Sequence, residues 1–89
     1  MNAPSPLAIT LYGKPGCHLC DDLRTILDDL RSEFDFALVE RNIEDDPDDF
    51  TRFRYSIPAL DIAGKLLLYP PHDAVSIRRA LLAAGKATE

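Results

Sequence analysis

Apolar residues first gather at positions 7 to 12, LAITLY, a short run rich in strand formers that follows Pro6 and stops at Gly13-Lys14-Pro15-Gly16. This pattern predicts a first strand and its loop. From Cys17 the spacing changes. Leu19, Leu23, Ile26, Leu27, Leu30 and Phe34 recur at three, four and seven residues, which marks one face of a helix over about 17–32. Asp21 and Asp22 fall near its positive N-terminal end. In FDFALV, 34–39, Phe34, Phe36 and Leu38 alternate onto one face of a second strand. A strand, a helix and a strand in succession imply a right-handed parallel crossover.

The acidic run IEDDPDD, 43–49, contains a helix start, since Asp46 is an N-cap residue and Pro47 suits the first helical position. A short helix from 47 to about 54 follows, with Phe50 and Phe53 expected inward. Its carboxylates do not have the spacing of a calcium loop and read as a solvated helix start. IPALDI, 57–62, is a third strand starting at Pro58. Ala63-Gly64-Lys65 turns it into Leu66–Tyr69, giving an antiparallel hairpin that ends at Pro70-Pro71. Asp73 caps a last helix with Val75, Ile77, Leu81 and Leu82 on its buried side, Arg78 and Arg79 exposed, and Gly85 as its stop. The remaining KATE is expected to fray, and no internal repeat is present.

A chain of 89 residues makes one domain, 1–89, with a simple core at about 7–84. Apolar residues at 46% and charged residues at 28% are ordinary for a globular domain. With a net charge of −5 and a pI near 4.8 there is no basic field, so neither nucleic acid nor an anionic membrane is an expected partner. Met1–Pro6 holds no Lys or Arg and leads into only a short apolar run, unlike a secretory signal. No stretch approaches the roughly 18 apolar residues of a membrane span. A cytoplasmic location is expected, where thiols stay reduced and a close cysteine pair is catalytic or metal-binding rather than structural.

That pair, the only cysteines of the chain, lies in YGKPGCHLCDDL, 12–23, where the first strand meets the first helix. The thiolate is the nucleophile of disulfide exchange. A helix N-terminus and a C-x-x-C context lower a cysteine pKa from about 8.5 to between roughly 3.5 and 7.5. Cys17, at the helix end, is the expected attacking thiol. Cys20, three residues on and on the same side, is the expected resolving and more buried one. Asp21 and Asp22 oppose the helix dipole by raising a neighbouring thiol pKa. Two other readings of the pair stay open. One is an iron–sulfur or zinc site shared between two protomers or with glutathione; the other is a silent pair in an interaction module. A self-contained metal site would also need His18 and His72, and His18 stands awkwardly between the cysteines, so no metal ligands are assigned.

The order strand, helix, strand, helix, strand, strand, helix, with Cys-His-Leu-Cys at the first junction, resembles the glutaredoxin-like members of the thioredoxin fold. The resemblance covers about residues 7 to 84 and implies an α/β, thioredoxin-like β-α-β-α-β-β-α architecture with a four-stranded mixed sheet flanked by helices. Lys14-Pro15-Gly16-Cys17 followed by Cys20 is similar to the family's Lys-x-x-Cys-x-x-Cys, and Ser56-Ile57-Pro58 to its Thr-Val-Pro. The likeness implies that Pro58 is cis beside the cysteines. It also implies that Ile57 offers its backbone to the peptide-like part of a substrate, and that Lys14 holds a glutathione carboxylate. A cis bond there would leave the N–H and C=O of Ile57 free to pair with an extended substrate as an added strand. The implied activity is thiol-disulfide exchange on protein or glutathione mixed disulfides, with electrons from glutathione or a flavin reductase. No bound cofactor and a monomer are expected. Where the family has Gly-Gly and a polar pair for the γ-glutamyl group, this chain has Leu68-Tyr69-Pro70-Pro71-His72-Asp73. His18 is expected to face water, His72 to be a surface residue, and Tyr12 and Tyr69 to complete a core edge.

Overall fold

The computed structural model describes residues 7–86, with side chains placed as far as Ala84. Four strands form one sheet in the order β2-β1-β3-β4. Strand β1 (Leu7–Gly13) runs parallel to β2 (Phe36–Asn42), from Leu7 opposite Phe36 to Gly13 opposite Asn42. It runs antiparallel to β3 (Ala59–Ile62), with Ile9 opposite Ile62 and Tyr12 opposite Ala59. Strand β4 (Leu66–Leu68) returns antiparallel to β3 through a turn in which Ala63 and Gly64 hold positive φ of 57° and 69°. Asp61 supports this turn by accepting the Gly64 N–H at 3.0 Å.

Helices α1 (His18–Leu30) and α3 (Ala74–Lys86) share one face of the sheet. There Leu23, Leu27, Leu30, Ile77 and Leu81 meet Ile9, Leu11, Leu60 and Ile62 in a buried cluster. Alternation along β1 and β3 turns Tyr12 and Ala59 to the other face, where Ile43 and Phe53 form a smaller core with them. Phe53 belongs to the short helix α2 (Pro47–Phe53), and its ring stacks on Tyr12 with centroids 4.3 Å apart. Asp46 caps α2 as expected, its carboxylate accepting from the N–H groups of Asp48 and Asp49.

Several expected boundaries and faces move. Cys17 is the N-cap of α1 rather than its first turn, and the helix ends at Leu30. The second strand is shifted from 34–39 to 36–42, because its partner β1 continues to Gly13 and pairs with the polar Glu40, Arg41 and Asn42. Phe34 remains half-buried before the strand. A single 3₁₀ turn, Ile43–Asp45, joins β2 to α2. The third strand starts at Ala59 rather than at Ile57, and the fourth stops at Leu68, leaving Tyr69 exposed instead of closing a core edge.

On α3 the buried arc is Ile77, Ala80, Leu81 and Ala84. At about 100° per residue Val75 points away from Ile77 and Leu82 lies a further 100° beyond Leu81, so both are exposed, contrary to the sequence expectation. Phe50 is also outside, about 100° round from the buried Asp49 on α2, with the Arg54 guanidinium 5.5 Å from its ring centre. Gly85 does not stop α3, which runs on to Lys86; residues 87–89 of the expected frayed tail lie outside the described residues, as does the Met1–Pro6 stretch. Arg78 and Arg79 are exposed as expected, with Arg78 paired to Glu33. Among the described residues no helix is long and apolar enough to cross a membrane.

Candidate functional site

The chain leaves β1 at Gly13, turns through Lys14-Pro15-Gly16, and enters α1 at Cys17. Gly16 takes a φ of 77°, a left-handed conformation that glycine adopts without penalty. Cys17 is extended, with φ −90° and ψ 107°, as an N-cap must be. Its Sγ accepts the backbone N–H of Cys20 at 3.1 Å. A sulfur therefore takes the position a capping oxygen normally fills, and it faces the positive end of a 13-residue helix.

Cys17 and Cys20 are joined as a disulfide, with Cα atoms 5.2 Å apart. Cys17 is half-buried, while Cys20 is buried at 1% exposure. The reason Cys20 fits is Gly13. A Cβ at residue 13 would stand 2.7 Å from the Cys20 Sγ and 3.3 Å from Leu11 Cδ2. The last residue of β1 therefore has no side chain, and the Cys20 sulfur occupies that space. Gly13 was not singled out from the sequence, although a glycine inside a strand is the usual mark of such a close approach.

Charges around the pair are neutralised locally. Asp21 accepts from Arg24 Nη1 at 2.6 Å, and Arg24 also holds Glu40 on β2, through Nε at 3.0 Å and Nη2 at 2.7 Å. The hydrogen bonds that Arg24 donates, to Glu40 first and to Asp21 second, hold its guanidinium above its ordinary pKa. Asp22 lies 3.6 Å from His18 Nε2, and the His18 side chain is 87% exposed and faces water as expected.

The residues expected to bind substrate do not all come together. Pro58 lines a cleft of about 340 Å³ with Leu19, Asp22, Pro70, Pro71 and His72. Lys14 lines a different one of about 280 Å³, beside Pro15, Arg24 and Arg41 on the β2 side. The side chain of Ile57 packs toward Ile43, Phe53 and Ala59. Both Ile57–Pro58 and Pro70–Pro71 are cis. Leu19, expected on the buried face of α1, is 57% exposed and belongs to the wall of the Pro58 cleft. His72, expected at the surface, is instead half-buried, with Nε2 2.6 Å from the Pro58 carbonyl oxygen. Among the described residues no group of three or more His, Cys, Asp or Glu side chains is arranged to hold a metal.

Residues 8–82 match the family described as glutaredoxin-like domain (DUF836). Protein XcR50 from X. campestris is 31% identical, with a TM-score of 0.74 over 84% of this chain and 96% of that one. Protein Ne2328 from Nitrosomonas europaea is 25% identical, with a TM-score of 0.76 over 91% and 98% of the two chains. The thioredoxin-like protein BC3987, as its T8A mutant, shares the fold at 21% identity, with a TM-score of 0.60 over 85% and 95%. No curated protein matches the chain. With its helix-capping cysteine pair and its mixed four-stranded sheet, the chain belongs to the glutaredoxin-like domain family (DUF836) and has the thioredoxin-like α/β fold.

Proposed function

We propose that the protein is a dithiol–disulfide oxidoreductase that reduces protein or glutathione mixed disulfides through Cys17 and Cys20. The observation that carries this reading is the Cys17 Sγ seated at the α1 N-terminus, accepting the Cys20 N–H at 3.1 Å. The same hydrogen bond and the helix dipole stabilise a thiolate at that position once the pair is reduced.

In the forward direction the Cys17 thiolate attacks one sulfur of a substrate disulfide. An S–S bond forms to Cys17, the substrate S–S bond breaks, and the first substrate thiolate leaves and takes up a proton. Cys20, 5.2 Å away between Cα atoms, then loses its proton and attacks the Cys17 Sγ. The Cys17–Cys20 disulfide forms, the second substrate thiol is released, and two electrons have passed to the substrate. Two glutathione molecules, oxidised to glutathione disulfide, or a flavin reductase return the pair to the dithiol. The cysteines carry both electrons, so no bound cofactor takes part, and the chain acts as a monomer in the reducing cytoplasm. Ile57 and Pro58 border the substrate's peptide-like portion, and Lys14 serves an anionic group from the neighbouring cleft.

The test is the dithiol–disulfide equilibrium in a series of glutathione buffers, read by intact mass after acid quenching. A reversible midpoint between roughly −180 and −300 mV is expected, and Cys20→Ser should accumulate the mixed disulfide on Cys17. A pair that stays reduced in strongly oxidising buffer, or that is isolated already holding metal, refutes the reading.

A further inference from the structure

The hydrogen bonding at the end of the hairpin contains a vacancy that the sequence fills with one side chain. Ala63 N–H donates to Ala8 O at 2.7 Å, so the odd positions of β3 turn their main-chain groups toward β1. The even positions therefore turn toward β4, consistent with Ile62 O accepting the Lys65 N–H. Leu60 opposite Leu68 and Ile62 opposite Leu66 fix the register. Continued by one more pair, it sets Pro58 opposite residue 70, whose N–H would satisfy the Pro58 carbonyl. Residue 70 is proline and has no N–H. The next residue, Pro71, has none either. A carbonyl left without a donor on this buried residue would be costly. His72 supplies the donor, with Nε2 at 2.6 Å from Pro58 O. Because a carbonyl oxygen only accepts, Nε2 carries the proton.

The tie bears on the cysteines through the strand register. Tyr12 stands opposite Ala59, so the next pair sets Gly13 opposite Pro58. Gly13 is the residue whose missing Cβ makes room for the Cys20 sulfur. Pro58 and His72 line one cleft together with Leu19, which lies between the two cysteines in sequence.

We propose that His72 is a positioning residue, replacing the ladder donor that Pro70 lacks and thereby holding the Pro58 wall of the cleft in register with Gly13, the residue packed against the Cys20 sulfur. Its place in the reaction rests on the oxidoreductase reading above; the tie itself does not. His72 touches neither sulfur. It acts through Pro58 on where a substrate chain lies.

The experiment compares the full-length protein with His72→Phe, which keeps the ring and loses the donor, and His72→Gln, whose amide N–H₂ reaches a similar position. Reduction of insulin disulfides with dithiothreitol as the reductant reads the cleft, and alkylation of reduced Cys17 by iodoacetamide reads the thiolate without it. His72→Phe should lose about fivefold to tenfold in kcat/KM, chiefly through KM, as expected for one neutral hydrogen bond whose acceptor is left unpaired. Its alkylation rate and far-UV spectrum should match the parent, and His72→Gln should recover most of the loss. Parent-like kinetics in His72→Phe, an equal loss in His72→Gln, or a matching fall in alkylation overturns the proposal. A parent protein that reduces no insulin and also fails the glutathione-buffer test refutes the oxidoreductase reading instead. The tie is then judged by ¹⁵N spectra: an Nε2–H tautomer at His72, with Ile57 more mobile in His72→Phe, supports it, and an Nδ1–H tautomer refutes it.

Discussion

Replacing Gly13 with alanine tests the packing that seats Cys20. The new Cβ would lie 2.7 Å from Cys20 Sγ, 3.3 Å from Leu11 Cδ2 and 3.4 Å from Cys20 Cβ. Ordinary contact between such atoms is about 3.5–4.0 Å, so the sulfur or the strand must give by about 1 Å. Cys20 is 1% exposed and Leu11 equally buried, so neither can relieve the contact by moving out into solvent. Overpacking of this kind costs about 1–3 kcal/mol. For a domain of this size about 2 kcal/mol lowers Tm by about 10 °C. The loss should not be equal in the two redox forms. A reduced Cys20 can swing its thiol into another staggered rotamer, whereas the oxidised sulfur is held by its bond to Cys17. If about 1.4 kcal/mol of the strain is confined to the oxidised form, the midpoint becomes less negative by about 30 mV. Thermal unfolding of both forms by circular dichroism and the glutathione-buffer equilibrium measure the two effects. A variant as stable as the parent in both forms, or a midpoint moved to more negative potential, refutes the argument.

Three further outcomes are expected. Asp73 caps α3 by accepting the Ser76 N–H at 2.8 Å, which holds its carboxyl below the ordinary value of 3.8. A lowered folded pKa gives stability that is present above the ordinary value and lost as pH falls through the folded one. Asp73→Asn keeps the acceptor but loses the charge, so its Tm should vary less than the parent's between about pH 2 and 4.5; an unchanged pH profile would count against the cap. Leu19→Ser should leave stability within about 0.5 kcal/mol, as for other exposed positions, while raising KM for insulin and sparing Cys17 alkylation. Arg24→Ala removes a surface pairing worth under about 1 kcal/mol, but it frees the Asp21 charge near the helix start. The Cys17 thiol pKa, read from the pH dependence of alkylation, should therefore rise, and a value unchanged or lowered contradicts this account of local neutralisation.

Much of the architecture was legible because it is written in periodicity. Leu23, Leu27 and Leu30 carry a helical period, Ile9 and Leu11 a strand period, and Asp46-Pro47 and Asp73 are helix starts that rest on local hydrogen bonds. What was misplaced lies where burial is decided by neighbours distant in sequence. The polar end of β2 has no apolar alternation of its own and is a strand because β1 extends beside it. Leu19, Val75 and Leu82 are leucine or valine at the rim of a helix face, and composition alone does not say where the sheet beneath ends. At the site the cysteine pair was conspicuous, while Gly13 and His72 were not. One matters for the atom it lacks, and the other for a hydrogen bond that two prolines cannot make.

The two borders of the sheet have a consequence for how the chain behaves in crowded solution. A bare strand edge is a template on which other chains can add and grow into aggregates. At one border, β2 presents Val39, Glu40 and Arg41 as exposed side chains, two of them charged. At the other, β4 is three residues long and runs straight into Tyr69-Pro70-Pro71, where two successive positions have no N–H to offer an incoming strand. A charged margin and a short one closed by prolines give a growing fibril little to copy. The same two prolines that oblige His72 to serve Pro58 thus also cap the sheet against its own kind.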